Sequence, residues 1–390
     1  MKWAMLRLIA ITVLLVTSGL TYAAPAASLS QSETQALLKA NRFGELDQHY
    51  SALQREYSLS TVTEEDLRDA YRVFYPTDAW IATKLDLWVQ QFPKSYVARL
   101  ARAIYYKKVG GEARGGAYAD RTTDAQFQGM ETALGKAARD LEISLTLDTE
   151  PILSLVQAID IAGSLSAPDR GRKFLDLAVR IDPDTFLARS KYMNNLETRW
   201  GGSLEQMRAF FEECKKARLS KAHIDFLEGM VAEERGWLHV HKDGNGVAAK
   251  KDFEKAASLN PELCLMCVWG ELGDLFMAQQ KYDEAIDVLS RILSHKPTDL
   301  HALANRGVAY MRTGKVHEAI IDWTRAAEAG STYAQDELGV LYMNGVAGVL
   351  DADPKTGIDW FRKAAAQGDP DGRRNLALAM SKQRAEAPAQ

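Results

Sequence analysis

The sequence predicts an all-α protein: a right-handed solenoid of stacked helix pairs, preceded by an irregular helical N-terminal domain. Three observations predict it. Apolar residues recur three and four apart along nearly the whole chain, while two-residue alternation of β-branched side chains is nearly absent. Pro151, Pro183, Pro261 and Pro297 punctuate the later part of the chain at helix ends. Small and large residues then return in a fixed order at a 34-residue period. The composition supports a packed fold of this kind, with 46% hydrophobic residues and only 11 prolines in 390. With 48 basic against 52 acidic residues, net charge −4, there is no basic surplus to neutralise a phosphate backbone, so no nucleic-acid partner is expected.

The first element is a targeting segment. Lys2 and Arg7 precede a mainly apolar run from Leu8 to Leu20, too short to span a bilayer, and Thr21-Tyr22-Ala23 places small residues before a cut at Ala24. Residues 1–23 are therefore expected to be a cleaved signal peptide, leaving a periplasmic or secreted chain without a stable membrane anchor. No cysteine near the cut could carry a lipid. Residues 24–31 and 383–390, rich in Ala, Ser, Pro and charge, are expected to be disordered ends. Residues 32–151 make the irregular domain: helices over 33–39, 43–57, 64–75, 79–92 and 95–108, then a Gly-rich loop from Gly110 to Asp120.

Degenerate helix pairs are expected over 152–220, and a long-loop repeat over 221–263 whose first helix ends at Trp237. From Met266, the residues Trp269, Leu272, Gly273, Phe276, Ala285, Leu289, Ile292 and Pro297 occupy positions 4, 7, 8, 11, 20, 24, 27 and 32. From Leu300 the same positions bring Leu303, Gly307, Tyr310, Ala319, Trp323 and Ala326, with Arg306 at position 7, where an apolar residue is usual. Residues 264–299 and 300–333 thus resemble tetratricopeptide repeats. Residues 334–368, carrying Leu338-Gly339, Leu341-Tyr342, Asn344-Gly345, Asp353-Pro354 and Lys363-Ala364-Ala365, resemble a Sel1-like repeat, and a capping helix is expected within 369–382. Phe43-Gly44-Glu45-Leu46, Ala113-Arg114-Gly115-Gly116 and Trp200-Gly201-Gly202-Ser203 are similar to a bacterial domain of unknown function that precedes such repeats. That resemblance implies a domain layout and no reaction.

Candidate chemistry is sparse. No nucleophile elbow, H-E-x-x-H or phosphate-binding loop occurs, and no cofactor or metal is expected. Glu112, Arg114 and Arg121 in the Gly-rich loop form a candidate anion site, against the plainer reading of an interhelical loop with internally paired charges. His239-Val240-His241 could share a metal only in an extended loop, and a solvated loop is the simpler reading. Cys264 and Cys267 are spaced for a disulfide in an oxidising compartment, with reduced core thiols as the alternative.

The repeats themselves offer the most informative set. Position 12 holds Met277, then Met311, then Met343, and methionine adapts to apolar partners. In repeats of this resemblance the first helices line a concave face, which implies a protein or peptide partner bound by these methionines and by Asp274, Asn305, Arg312 and Asn344. The competing reading packs the methionines into the core. The two-carboxylate clamp for a peptide C-terminus needs Lys and Asn at positions 5 and 9. Here they are Gly270 and Asp274, then Ala304 and Val308. The function expected is an exported, non-enzymatic scaffold. The alternatives are an envelope enzyme using the Gly110 to Asp120 loop, or an immunity protein of the kind found among periplasmic Sel1-like proteins.

Overall fold

The computed structural model describes residues 29–115, 121–259 and 266–386, in two compact units, Met1–Ser220 and Lys221–Gln390. Nineteen α-helices lie among the described residues, with one isolated bridge between Val346 and Leu350 and no β-strand. The all-α helical-repeat fold is thereby established. The signal peptide expected over 1–23 lies outside the described residues.

In the first unit, α1 (Gln31–Lys39) and α2 (Phe43–Ser58) form a hairpin. The α1 helix starts where Ser30 and Glu33 cap each other's backbone N–H groups, so its first residue lies inside the segment expected to be disordered. Helix α3 (Glu64–Ala70), a 3-10 turn (Tyr71–Phe74) and α4 (Ala79–Gln91) close over the hairpin, burying Phe43, Tyr50, Tyr71, Phe74 and Trp88 in one aromatic cluster. Tyr50 and Tyr71 stand 5.0 Å apart between ring centroids. Helices α5 (Tyr96–Arg114) and α6 (Asp124–Ser144) pair through buried Asp140. It takes two bonds of 2.7 Å from Arg102 and one of 3.0 Å from Arg99.

The α5 helix corrects one expectation. Gly110 to Arg114 are helical, and the loop begins only at Gly115, whose φ of +72° ends the helix. Gly110 is buried, and a Cβ there would lie 3.1 Å from the Leu134 side chain, so this glycine admits the neighbouring helix rather than breaking its own. Glycine pairs read as loop because they usually are. Here the packing of α6 overrides the local preference.

Helices α7 (Ile152–Ser164), α8 (Pro168–Ile181), α9 (Phe186–Asn195) and α10 (Leu204–Cys214) complete the unit. Asn195 Nδ2 donates to the Ile159 carbonyl at 2.8 Å, which fixes α9 on α7. The earlier helices are tied to these by Gln54, whose Nε2 donates to the Glu150 carbonyl at 3.2 Å, and by Glu64. The Glu64 carboxylate accepts from the Leu187 N–H and the Thr185 hydroxyl, both at 2.8 Å, and from the Phe186 N–H, so α3 supplies the cap of α9.

The second unit is a run of helix pairs: α11 (Lys221–His241) with α12 (Gly246–Leu259), α13 (Met266–Ala278) with α14 (Tyr282–His295), α15 (Leu300–Arg312) with α16 (Val316–Glu328), and α17 (Thr332–Asn344) with α18 (Pro354–Ala366). Helix α19 (Pro370–Glu386) follows. It extends past the capping helix expected to end at 382, into the tail expected to be disordered. One contact recurs in every pair: a first-helix glycine faces a large residue of the second helix, which stands at position 24 in the two tetratricopeptide repeats. A Cβ on Gly236 would meet Phe253 at 2.5 Å, on Gly273 Leu289 at 3.1 Å, on Gly307 Trp323 at 2.4 Å, and on Gly339 Phe361 at 2.4 Å. Only glycine lets these large side chains, three aromatic rings and Leu289, reach the first helix's backbone. The first pair lacks its expected loop, because α11 stays helical through His241.

Candidate functional site

The exposed side chains of the second unit's first helices build a candidate surface from repeat positions 2, 5, 6 and 9. On a helix, residues three and four apart share a face, so one fixed contact locates its neighbours. Asn305 Nδ2 on α15 donates to Asp274 Oδ1 on α13 at 3.0 Å, and His301 Nε2, one turn earlier, lies 3.4 Å from the same oxygen. Asn375 Nδ2 on α19 donates to both Asp336 oxygens on α17, at 3.0 and 2.8 Å. Each asparagine bridges one first helix to the next.

The same face carries apolar side chains in water. Tyr333 lies three residues before Asp336, Val340 four after it, and Leu378 three after Asn375; they are 49%, 40% and 61% exposed. The charges between them are mainly negative. Burial and nearby Glu271 raise the Asp274 carboxyl above its usual range, against the opposing pull of His301. Burial, with Asp369 and Asp371, raises Asp336 against the Asn375 hydrogen bond. Burial and Glu337 push the Tyr333 phenol upward, and Arg312 acts against them.

Of the residues expected in a groove, Asp274 and Asn305 are brought together directly. Arg312 is exposed at the end of α15, and Asn344 Nδ2 donates to its own helix at the Val340 carbonyl, 3.0 Å away. Met277 and Met311 are half-buried against the core formed by the helix pairs. Met343 packs on Ile358, Phe361 and Ala379, close enough that a Cβ on Gly357 would meet its Cγ at 2.8 Å. Tyr333, Val340 and Leu378 escaped the sequence reading. Their signal was exposure at positions 2 and 9, which needs the register of a Sel1-like unit and its cap.

The other candidates disperse. Glu112 Oε2 accepts from the Thr77 hydroxyl at 2.6 Å, Arg114 lies over the Trp200 ring at 5.6 Å, and Arg121 is exposed at the start of the α6 approach. His239 Nδ1 contacts Asp243 at 2.7 Å and His241 Nε2 contacts Glu271 at 3.0 Å. The two imidazoles thus serve different partners from a helix, where an extended loop had been expected. Among the described residues no group of three or more His, Cys, Asp or Glu could hold a metal ion. Cys264 lies outside the described residues, as does the Cys267 side chain. Cys214 is a buried free thiol, pushed up to about 12 by burial. No described helix is long and apolar enough to cross a membrane.

Comparison with known families decides the assignment. The tetratricopeptide repeat family matches residues 271–334, the Sel1 repeat family residues 332–369, and a domain of unknown function (DUF4034) residues 31–177. The chain is a tetratricopeptide and Sel1-like repeat protein with an N-terminal domain of unknown function. Repeats of these families serve as protein-interaction scaffolds. Hsp70-Hsp90 organizing protein 1 of Glycine max is 25% identical over 208 residues, 53% of this repeat protein and 34% of that relative. Hsp70-Hsp90 organizing protein 3 of Arabidopsis thaliana is 24% identical over 138 residues, 35% of this chain and 23% of that one. The repeat protein thus spans about a third of the first of these relatives and about a quarter of the second.

Among solved structures, yeast Tom70 aligns with 91% of this chain and 88% of its own at 12% identity, TM-score 0.34. The protective antigen c5321 of uropathogenic Escherichia coli, titled as displaying an SLR fold, aligns with 90% and 84% at 13% identity, TM-score 0.34. Likeness at this level carries no information on ligand or partner.

Proposed function

We propose that this repeat protein is an exported scaffold that binds a protein or peptide partner on the first-helix face of its second unit. The observation that carries the reading is the alternation on that face of exposed Tyr333, Val340 and Leu378 with polar groups already held in place by Asp274–Asn305 and Asp336–Asn375. Apolar anchors ringed by ordered polar side chains are what a partner segment needs, since little further ordering is required on binding. Half-buried Met277 and Met311 serve this surface as its floor, and Arg312 and Asn344 as its edge. Export rests on Lys2, Arg7, the apolar run and the small residues before Ala24.

Photo-crosslinking tests the face. A benzophenone side chain at Tyr333 or Leu378 should capture a partner in cells, and one at Ile321, equally exposed on a second helix, should not. Equal capture at all three positions moves the site elsewhere. N-terminal sequencing of the mature chain tests export, with Ala24 the expected first residue.

A further inference from the structure

The first unit carries a positively charged face that the repeat families do not account for. Lys107, Gly111 and Arg114 follow one another on α5 at spacings of four and three, so they share one side of that helix. At one end of this stripe Lys107 Nζ is bonded to Asp160 Oδ2 on α7, and Lys191 Nζ on α9 comes to 3.7 Å from the same oxygen. One carboxylate thus answers two ammonium groups, whose side chains are only 15% and 35% exposed. A surplus charge drawn partly out of water is costly until an anion meets it.

At the other end Arg114 lies over the Trp200 ring at 5.6 Å, which positions the guanidinium without neutralising it. Arg114 belongs to the stretch Ala113-Arg114-Gly115-Gly116 and Trp200 to the stretch Trp200-Gly201-Gly202-Ser203, so the two motifs, far apart in the sequence, meet on this face. Arg199 and Glu197, beside Trp200, pair with each other and leave the balance unchanged. Between the two ends stands exposed Gly111, where a Cβ would meet nothing within 4 Å, so the gap is floored by bare helix backbone. Roughly 10 Å of helix separates Lys107 from Arg114, a span that two long side chains can close from either end. Lys108, held over the Tyr75 ring at 4.2 Å, adds a fourth cation at the edge. Burial lowers its pKa, and Lys107 and Lys191 lower it further against Asp160 and Glu112, so these charges act in one field. Glu112 is occupied by the Thr77 hydroxyl at 2.6 Å.

Four cations on this face therefore meet two carboxylates, and the face is short of two negative charges. A phosphoryl group brings about two near neutral pH, with three acceptor oxygens for donors arriving from different helices. A lone carboxylate would correct half of the imbalance. We propose that this face binds a phosphoryl group, its oxygens shared by Lys107, Lys191 and Arg114 over Gly111, with Asp160 as the resident counter-ion that the ligand supplements. Two sources carry that chemistry, free inorganic phosphate and a phosphate monoester on a larger molecule.

Titration calorimetry of the full chain with inorganic phosphate, glycerol 3-phosphate and acetate tests it, with a thermal melt recorded for every variant. At least one phosphate probe should bind, more weakly as salt rises, and acetate should bind about tenfold more weakly or less. Lys191→Gln and Arg114→Gln, at opposite ends of the face, should each weaken phosphate about tenfold. Asp160→Asn should do the reverse and tighten it, because the same ammonium groups are left with a larger deficit, and saturating phosphate should return part of the stability that this variant loses. An ion pair that serves packing alone gives no such gain. Binding of inorganic phosphate alone identifies the free ion, and equal or tighter binding of glycerol 3-phosphate identifies a phosphoryl group carried on a larger molecule. Absence of heat with both phosphate probes, acetate bound as tightly as phosphate, or phosphate binding indifferent to Lys191→Gln and to Arg114→Gln overturns the proposal.

Discussion

Arg306 and Asp322 meet through two parallel contacts, Nε to Oδ2 at 2.6 Å and Nη2 to Oδ1 at 2.8 Å, with Asp322 only 2% exposed. They join position 7 of α15 to position 23 of α16. Arg235 and Asp252 repeat the arrangement between α11 and α12, with Arg235 Nε 2.7 Å from Asp252 Oδ2. A position that is normally apolar has therefore been replaced together with its partner. Removing one member strands the other, so Arg306→Leu or Asp322→Leu alone should cost on the order of 3 kcal/mol. The pair Arg306→Leu with Asp322→Leu should recover most of that loss, because Leu272 fills position 7 of the preceding repeat. Denaturant unfolding of the four proteins measures the coupling. Additive losses would mean that the two residues do not act as a unit.

Two glycines on neighbouring first helices should answer alanine with opposite signs. At Gly307 the new methyl would stand 2.4 Å from Trp323, whose indole N–H is fixed on the Ala304 carbonyl at 3.1 Å, whereas at Gly270 nothing lies within 4 Å. Gly307→Ala should destabilise by about 1–3 kcal/mol through overpacking, and Gly270→Ala should stabilise by up to about 1 kcal/mol through helix propensity. Thermal melts of the two variants decide it, and the same sign for both would contradict the repeat register.

Glu64 predicts a pH response in the first unit. Burial lifts its carboxyl to about 7 despite the hydrogen bonds from Thr185 and the α9 backbone. A carboxyl whose pKa is higher folded than unfolded favours the folded state when protonated. Its contribution is full below the unfolded value near 4.5 and is lost as pH rises through about 7. The loss between those limits is on the order of 3 kcal/mol. Glu64→Gln keeps an acceptor for Leu187 and should flatten this part of the stability profile, measured by denaturant unfolding at pH 5, 6, 7 and 8. An unchanged slope in the variant would assign the response to other groups.

Asp160 behaves in the opposite sense. Burial alone would raise it, yet Lys107, bonded to its Oδ2, and Lys191 at 3.7 Å hold it well below the usual carboxylate range. Asp160→Asn leaves two ammonium groups facing each other and should cost about 2 kcal/mol or more, with Lys107→Met in the same background restoring part of it. Unfolding curves of the single and double variants provide the check.

The repeat half was the more legible part of the sequence, for a physical reason. Gly273 opposite Leu289 and Gly307 opposite Trp323 are forced pairings of small with large, and a forced pairing at fixed spacing leaves a period. Gly110 misled because its smallness serves packing against Leu134, a partner that no local pattern names. His241 misled because α11 continues past Trp237 through His241, and the chain turns only after it, at Gly244. The cleft lined by Tyr57, Glu150, Asp182 and Arg218 in the first unit was invisible for a different reason: these residues come from the end of α2 and from three inter-helix segments with no common spacing. Only the folded chain brings them together.

The repeated contact of a glycine with a large side chain also has a mechanical meaning. Within each pair of the second unit, a large second-helix side chain is seated directly on bare backbone, a contact with little slack. Two of the steps between first helices, α13 to α15 and α17 to α19, also carry hydrogen bonds from Asn305 and Asn375, made near solvent, where water can replace them as they open. Because the buried core runs on from pair to pair, a load or a bound segment would be taken up at these exposed asparagine links before it disturbed the glycine contacts within a pair.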